Sequence, residues 1–138
     1  TAICVNPTDI RYQHLIGKKV MVPLINREIP IISDEYIEKD FGTGALKVTP
    51  AHDINDYNIG QKNNLDIICV IMEDGSMSQD AQLYVGKDRF WVRKKIIEDL
   101  KLLGQLDKIE VIKNKVGFSE RTDVVIEPRL STQWFMNM

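Results

Sequence analysis

The sequence predicts a mixed α/β domain with more strand than helix, in which a curved or barrel-like β-sheet carries peripheral helices on its outside. Short β-branched runs recur between turn-forming residues, a pattern that is typical of strands. One long stretch, residues 87–103, instead places its apolar residues on one face of a helix. The length of 138 residues, 43% of them hydrophobic, suits a single domain with one core, and we expect it to span residues 1–138.

The first half of the chain is predicted to alternate strands with helices. Its predicted strands are residues 3–5, 20–22, 28–32 and 45–48. Asn6 and Pro7 favour a helix start, because proline fits the first helical turn. This helix is expected to run to about Leu15, and Gly17 ends it. A second helix is predicted over residues 53–62.

The second half is predicted to hold one buried strand and the longest helix. Residues 65–72 form a nearly continuous apolar, β-branched run, which predicts the buried strand. The helix over residues 87–103 ends at Gly104. Its predicted apolar face consists of Phe90, Ile96, Ile97, Leu100 and Leu103. Two further strands are expected over residues 109–116 and 124–126.

Composition and charge exclude several classes of protein. The formal net charge is -2, so the chain as a whole presents no basic field for nucleic acid, and any RNA contact would be local. Cys4 and Cys69 lie in apolar runs without a Cys-x-x-Cys motif, which indicates reduced core thiols. No apolar stretch approaches the roughly 20 residues of a membrane span, and no signal peptide is recognisable. We therefore expect a cytoplasmic protein with no membrane partner.

Both ends of the sequence are expected to be cuts through a longer chain. The sequence starts at Thr1 within a strand pattern and without an initiator methionine. It stops after the largely apolar residues 134–138, with neither a cap nor a turn.

Residues 41–60 combine several groups that act in binding and catalysis. Gly42 and Gly44 allow backbone to approach a ligand closely, because no Cβ intervenes. Lys47 and Thr49 are two residues apart on a predicted strand, so both side chains point to the same face.

The next residues add an imidazole and two carboxylates. His52 lies in the tight loop after the strand, and Asp53 and Asp56 are three apart at the start of a helix, so the carboxylates can share one face. A cation, a hydroxyl, an imidazole and two carboxylates thus meet at one strand-loop-helix junction. Such a junction suits a polar substrate that carries an amine.

The same residues also have ordinary structural explanations, which stay open at this point. Asp53 is a good N-cap, and Asp53-x-x-Asp56 resembles a capping box with aspartate in place of glutamate. Taken alone, Phe41 would be a core aromatic residue and Lys47 a solvated strand lysine.

A metal-dependent phosphohydrolase is a weaker alternative. His52 followed by Asp53 is suggestive of such enzymes, but they need further histidine and aspartate ligands, and His14 is the only other histidine. We therefore predict no metal site. Gly42-x-Gly44 is also too short for a dinucleotide-binding fingerprint.

The editing-site motif of valyl-tRNA synthetases is closely similar to residues 42–57, GTGALKVTPAHDINDY. Residues 17–36 resemble the segment that leads into this motif, and residues 119–135 resemble the return towards the catalytic core. The resemblance covers essentially the whole chain. It implies the editing-domain fold, with residues from about 127–138 returning towards a catalytic core.

Three positions favour the valine enzymes over their siblings. Isoleucine enzymes usually carry histidine where this chain has Lys47, and they lack the pair His52-Asp53. Leucine enzymes have methionine at the position of Lys47 and usually arginine at that of Asn55. The combination of Lys47, Thr49 and Asn55 therefore resembles the valine family.

The resemblance implies an aminoacyl-tRNA ester hydrolase that clears threonine. Threonine is nearly isosteric with valine, and a hydrophobic synthetic pocket rejects such a hydroxyl analogue poorly, as these enzymes themselves exemplify. A second, hydrolytic site is then needed. Its chemistry is implied to be attack by a positioned water on the aminoacyl ester, helped by a ribose hydroxyl of the tRNA.

The resemblance also implies roles for individual residues. Asp56 is similar to the carboxylate that binds the substrate's α-ammonium, and Lys47 and Asp53 are similar to the groups that recognise the threonyl hydroxyl. Phe41 and Glu38 resemble pocket residues near the terminal adenosine. The expected catalytic residues are therefore Asp56, Asp53 and Lys47. The expected substrate-binding residues are Thr49, Phe41, Glu38, Gly44 and, as local support, His52.

The implied partners are the 3′ end of tRNA(Val) carrying threonine and the remainder of a synthetase. Editing is expected to need no cofactor, since ATP is used only by a catalytic domain that this chain does not contain. The family's pocket also uses a threonine-rich stretch with an arginine, just before the residue that Thr1 resembles, so we expect this chain to lack one wall of the site. The alternative is therefore a catalytically silent module that only docks the tRNA end.

Overall fold

A computed structural model describes residues 1–111, 113 and 115–136. Its regular elements are β1 (Ala2–Val5), β2 (Lys19–Val22), β3 (Arg27–Ser33), β4 (Ala45–Val48), α1 (Ile54–Lys62) and α2 (Arg89–Leu102), with short 3-10 turns at Gln13–Leu15 and Gln79–Ala81. The predicted mixed α/β class is confirmed. The predicted excess of strand over helix is wrong for the described residues, because the two α-helices hold more of them than the four strands.

The four strands form one open mixed sheet in the order β2-β3-β1-β4. β1 is central, runs parallel to β3 and antiparallel to β4, and pairs Cys4 with Ile32 on one side and with Leu46 on the other. β2 and β3 form an antiparallel hairpin in which Val20 pairs with Ile29. The strand that leads into the predicted site, β4, therefore lies at a sheet edge, next to the best-covered strand.

The core lies between the sheet and α1. Its buried cluster comprises Ala2, Cys4, Ile37, Val48 and Ile59. Burial of one such large apolar side chain contributes about 1.5–3 kcal/mol. α1 approaches closely because Gly60 lacks a side chain, and a Cβ there would lie 2.7 Å from Cγ of Pro50. The start of α1 is thus held against the loop that follows β4.

The helix predicted from Asn6 to about Leu15 is wrong. The chain instead forms turns, with one 3-10 turn at Gln13–Leu15. The Asn6 side chain accepts a hydrogen bond from the Thr8 N–H at 2.9 Å, and the buried Asp9 accepts from the Arg11 N–H at 3.1 Å. Such side-chain bonds to nearby backbone offer an alternative to helical pairing.

The buried strand predicted over residues 65–72 is also wrong. Only Ile71 forms a β-bridge there, and the side chains of Ile67 and Met72 are each 52% exposed. The backbone finds other partners, because Val70 donates to a ring nitrogen of His52 and its carbonyl accepts from the Ser78 N–H. The apolar run is therefore a partly covered connection.

Neither of the last two predicted strands is a regular strand in the described residues. Residues 124–126 contribute a single bridge between Val125 and Phe118. The other described residues of the range 109–116 belong to no strand, and Ile112 and Asn114 lie outside the described residues. Alternating charges in 109–116 match a strand pattern, but a strand needs a neighbour to pair with.

α2 begins two residues later than predicted, because Asp88 caps it by accepting the N–H groups of Phe90 and Trp91. The predicted apolar face is not buried: Phe90 is 39% exposed and Leu103 is 55% exposed. The buried residues of α2 are Arg89 and Val92. In the described part of the chain, no helix is long and apolar enough to cross a membrane.

Arg89 joins the start of α2 to two other segments. Its Nη2 donates to the Val125 carbonyl at 2.8 Å, and its Nε lies 3.1 Å from the Glu127 carboxylate, close enough for an ion pair but not aligned for a hydrogen bond. Gly75 has φ +82°, and a Cβ there would fall 1.9 Å from Nη1, so both the backbone conformation and the position of Arg89 favour glycine in this turn. These contacts hold residues 117–127 beside the turn and the helix.

Candidate functional site

A cavity of about 730 Å³ opens beside β4 and the start of α1. Three segments line it, namely residues 36–38, residues 41–47 and, around the start of α1, residues 52, 53, 55 and 56. All but one of the sequence-predicted site residues line this cavity, namely Glu38, Phe41, Gly44, Lys47, His52, Asp53 and Asp56. The exception, Thr49, is in direct contact with Lys47. Residues that sequence reasoning grouped together are therefore adjacent in the structure.

Asp56 is the buried acid of the cavity, with a side chain only 6% exposed. Its Oδ2 accepts the Thr49 N–H at 2.7 Å and lies 3.8 Å from the Lys47 ammonium. Its Oδ1 receives no hydrogen bond from the residues that the structure describes. Because a carboxylate oxygen is a strong acceptor, the arrangement leaves Asp56 able to bind a cationic donor.

Lys47 lies on the edge strand and Thr49 directly follows its end, and their side chains meet as their spacing predicted. The Lys47 ammonium donates to the Thr49 hydroxyl at 2.9 Å. The Lys47 side chain is 72% exposed, so solvent screens its attraction to Asp56. A cationic and a hydroxyl group are thus presented together next to the buried carboxylate, within reach of a ligand's hydroxyl.

Asp53 is the N-cap of α1. Its Oδ1 accepts the N–H groups of Asn55 at 2.8 Å and Asp56 at 3.0 Å, and its backbone is extended, as an N-cap requires. The capping explanation that the sequence left open therefore applies. It does not remove Asp53 from the cavity, because the carboxylate is exposed and its other oxygen is not used in the cap.

The two glycines of the turn before β4 differ in what they permit. Gly44 has φ +75°, and a Cβ there would lie 2.6 Å from Nη2 of Arg11 and 2.7 Å from the Lys39 carbonyl. The space that the missing Cβ leaves at Gly44 is thus occupied by Arg11 and Lys39 of the protein, and not left open for a ligand. Gly42 has φ +58° with nothing within 4 Å, so only its conformation favours glycine there.

Phe41 and Glu38 stand at the open side of the cavity. Phe41 is 79% exposed, so the alternative that it is a core aromatic residue is wrong. An exposed aromatic ring at the rim of a polar cavity is able to stack on a flat ligand. Glu38 is likewise exposed.

Sequence reasoning missed the support behind the glycine turn. The buried Asp9 accepts from the Arg11 guanidinium at 2.6 Å, and Arg11 in turn donates to the Lys39 carbonyl at 2.7 Å. The hydrogen bonds from Arg11 lower the pKa of Asp9. Tyr12 also donates its hydroxyl to the Thr43 carbonyl at 2.8 Å. The spacing Asp9-x-Arg11 suits a pairing of these two side chains, but it does not indicate the contact with Lys39.

No metal centre is evident in the part of the chain that the structure describes, where no group of three or more His, Cys, Asp or Glu side chains is arranged to hold an ion. The cavity's chemistry is that of a carboxylate, an ammonium and a hydroxyl.

Residues 12–114 match the family described as "Leucyl-tRNA synthetase, editing domain". The chain belongs to this family of synthetase editing domains. The editing domain is also similar over all its 138 residues to valine--tRNA ligases of Parabacteroides distasonis, Phocaeicola vulgatus and Bacteroides fragilis, with 60%, 59% and 57% identity. It spans about 16% of the length of these relatives.

These comparisons confirm the predicted resemblance. The family description names the leucine enzymes, whereas the similar full-length proteins are valine enzymes. The editing domain carries Lys47 and Asn55, the residues that distinguished valine enzymes at the sequence level. Most of the residues that line its cavity belong to the segment that resembled the editing-site motif.

Proposed function

We propose that this editing domain hydrolyses the ester of threonyl-tRNA(Val), as the post-transfer proofreading part of a valine-tRNA ligase. The observation that carries the proposal is the buried carboxylate of Asp56, which lines the cavity with one oxygen held and the other without a donor among the described residues. An aminoacyl ester has a free α-ammonium, and a buried carboxylate is its natural partner.

Recognition of threonine rests on the groups around that carboxylate. With the α-ammonium on Asp56, the side chain of the amino acid lies near Lys47 and Thr49, which contact each other. The ammonium of Lys47 donates to a threonyl hydroxyl, and the free oxygen of Asp53 accepts from it. Valine satisfies neither group, and a site built to hydrogen-bond a hydroxyl discriminates strongly against the analogue that lacks it.

The terminal adenosine is assigned to the open side of the cavity. The exposed ring of Phe41 offers a stacking surface for a base, a contact that is worth about 1–3 kcal/mol in single-stranded nucleic acid complexes. The carboxylate of Glu38 is available to accept from ribose hydroxyls. The net negative charge of the chain agrees with recognition of only the tRNA end by this domain.

The reaction proceeds by water and needs no cofactor. Among the described residues no serine or cysteine lines the cavity, which agrees with attack by a positioned water rather than by a serine or cysteine nucleophile. Water adds to the ester carbonyl carbon, the bond from that carbon to the ribose oxygen breaks, and the ribose oxygen takes up a proton. The products are free threonine and tRNA with a free 3′ end.

The deciding experiment is deacylation of threonyl-tRNA(Val), with valyl-tRNA(Val) as the matched substrate. It is run with this chain and with a full-length synthetase that contains it, because the relatives are far longer. Selective hydrolysis of the threonyl ester supports the proposal. Equal hydrolysis of both esters would contradict the assignment of the hydroxyl-recognising groups, and no hydrolysis by either protein would contradict the function.

The alternative, a silent module that docks the tRNA end, is favoured by one observation. The carboxylate of Asp53 uses one oxygen to cap α1, so only its other oxygen is free to contact a substrate. Binding of the aminoacylated 3′ end without any release of threonine, in the chain and the full-length synthetase alike, would favour this alternative.

A further inference from the structure

The site loop, Thr49–Asp53, contacts Asp56 from both of its ends. At one end the Thr49 N–H donates to Oδ2 of Asp56 at 2.7 Å. At the other end Asp53 caps α1 and accepts the Asp56 N–H at 3.0 Å. A shift of this loop therefore changes both the side chain and the backbone position of Asp56.

His52 is the residue of the site loop that reaches out to other segments. Its Nδ1 lies 2.9 Å from the Pro128 carbonyl oxygen, and its Nε2 lies 3.0 Å from the Val70 backbone nitrogen. His52 and its two partners are far apart in the sequence, so the ring connects the site loop with the connection over 65–72 and with the segment around residue 128. Neither segment belongs to the sheet.

The two partners define the state of the ring. A carbonyl oxygen only accepts and a backbone N–H only donates, so Nδ1 must carry the proton and Nε2 must present its lone pair. This is the neutral Nδ1–H form. His52 lines the cavity, but both of its ring nitrogens are engaged, so neither is left for a substrate or a water.

We propose that His52 is a positioning residue that acts through these two backbone hydrogen bonds, holding the site loop so that Asp56 keeps its place in the cavity. The inference rests on the proposed function for its kinetic consequence, whereas the state of the ring and the order of the loop follow from geometry alone. His52 touches no reacting atom and takes no proton from the substrate.

Three substitutions at position 52 separate the two bonds. His52→Asn places an amide N–H near the position of Nδ1 and keeps the bond to Pro128. His52→Gln places an amide oxygen near the position of Nε2 and keeps the bond from Val70. His52→Phe keeps the ring shape and removes both bonds. His14→Asn is the matched control, because His14 is the other histidine, is exposed and lies outside the cavity.

The kinetic readout is kcat and KM for threonyl-tRNA(Val), measured well below the lowest melting temperature of the set. The expected result for His52→Phe is a roughly tenfold or greater loss in kcat/KM, since two hydrogen bonds of ordinary strength are removed. Smaller losses are expected for His52→Asn and His52→Gln, and none for His14→Asn. The parental rate in His52→Phe, or equal losses in all three variants, would overturn the proposal.

The structural readout does not depend on activity. A nitrogen-proton correlation spectrum of the unmutated chain is expected to show the Nδ1–H form of His52, and amide exchange is expected to show protected Val70 and Thr49 N–H groups. In His52→Phe both amides lose protection. An Nε2–H ring, or unchanged Thr49 protection in His52→Phe, would overturn the proposal.

The two readouts together distinguish a failure of the positioning role of His52 from a failure of the proposed function. Loss of Thr49 and Val70 protection in His52→Phe, together with an unmutated protein that hydrolyses no threonyl ester, would leave the positioning of the loop standing and remove the proposed function.

Discussion

The two opposite charges of the cavity differ in exposure, because Asp56 is buried and Lys47 is exposed. The Asp56 side chain is 6% exposed and that of Lys47 is 72% exposed. An ion pair with one exposed partner contributes little to stability, typically below about 1 kcal/mol. The pair is therefore better suited to binding than to holding the fold together, and its members are expected to respond differently to substitution.

Asp56→Asn is expected to abolish most editing while preserving the loop. The amide oxygen still accepts the Thr49 N–H, but the charge that attracts the α-ammonium is lost. A hydrogen bond to a charged group is worth about 1.5–3 kcal/mol, so kcat/KM for threonyl-tRNA(Val) is expected to fall about 10- to 100-fold. Asp66→Asn is the control, because Asp66 is exposed and outside the cavity. Clearance at the parental rate would contradict the central assignment.

Lys47→Met is expected to weaken threonine recognition more than folding. The substitution keeps a long apolar stem and removes the ammonium that contacts Thr49. The ratio of threonyl to valyl ester hydrolysis is expected to fall, and the melting temperature to change little, because the side chain is mostly exposed. A large drop in melting temperature with unchanged hydrolysis would instead make Lys47 a structural residue.

Spacing rules predicted the contacts within residues 47–56 because these residues are close in sequence. A two-residue interval on a strand brought Lys47 to Thr49, and a three-residue interval at a helix start linked Asp53 to Asp56. The Asp9–Arg11 pair was not predicted as a support for the turn, since its contact with Lys39 spans 28 residues. No local pattern reports a contact of that kind.

The glycine turn before β4 depends on the side chains packed behind it. Gly44 has a left-handed conformation and faces Arg11 and the Lys39 carbonyl, whereas Gly42 has a similar conformation and faces nothing within 4 Å. The two positions therefore separate backbone strain from steric conflict. Gly42 contributes to the turn through its backbone conformation alone, and Gly44 contributes through its conformation and through the space that it leaves for Arg11 and Lys39.

Gly44→Ala is expected to destabilise the chain more than Gly42→Ala. The left-handed conformation costs roughly 1 kcal/mol for a residue other than glycine at both positions, and only Gly44→Ala adds a clash with backbone. The measurement is denaturant unfolding of both variants, with an expected excess of about 1–3 kcal/mol for Gly44→Ala. Equal unfolding free energies would show that the turn relaxes away from Arg11.

The strands around the site were predictable, whereas the apolar run at 65–72 was not. β1 to β4 combine β-branched residues with turn signals, and each finds a neighbour. Residues 65–72 have the same composition, but their backbone groups bond to His52 and Ser78. Composition reports how well a segment fits a sheet, and it does not report whether a sheet edge is available to it.

At the scale of the whole molecule, burial is concentrated in the first 60 residues. Most of the buried apolar residues lie there, and among the described later residues only Ala81 and Val92 are buried apolar side chains. The cavity is built on this well-packed half. The later segments reach it through a few polar contacts, among them those of His52 with Val70 and Pro128.

Acid is expected to loosen the packing of α1 against the connection before β4. Oδ1 of Asp34 accepts the Tyr36 N–H and Oδ2 accepts from Lys62 on α1, and these bonds, first that of Tyr36, lower the pKa of Asp34. A carboxyl whose pKa is lowered by folding contributes its full stabilisation at pH values above its ordinary pKa, which is about 4. That contribution is lost as the pH falls through the pKa of the folded state.

Asp34→Asn is therefore expected to lower the melting temperature at pH 7 and to narrow its difference from the parent as the pH falls towards 3. Glu35→Gln is the control, because Glu35 is exposed and adjacent. Melting temperatures of the parent and both variants, measured from pH 7 to pH 3, test this prediction. A difference between Asp34→Asn and the parent that does not change with pH would show that the Lys62 contact contributes nothing through charge.

The central position of β1 has a consequence for synthesis at the ribosome. Of these four strands β1 is made first, and its two neighbours, residues 27–33 and 45–48, follow it in the sequence. One edge of this short apolar strand therefore stays unpaired until β3 has emerged, and the other edge until Val48 has emerged. Unpaired apolar strands are prone to wrong associations during folding. Nascent chains that end before β4 are expected to need protection that chains ending after it do not.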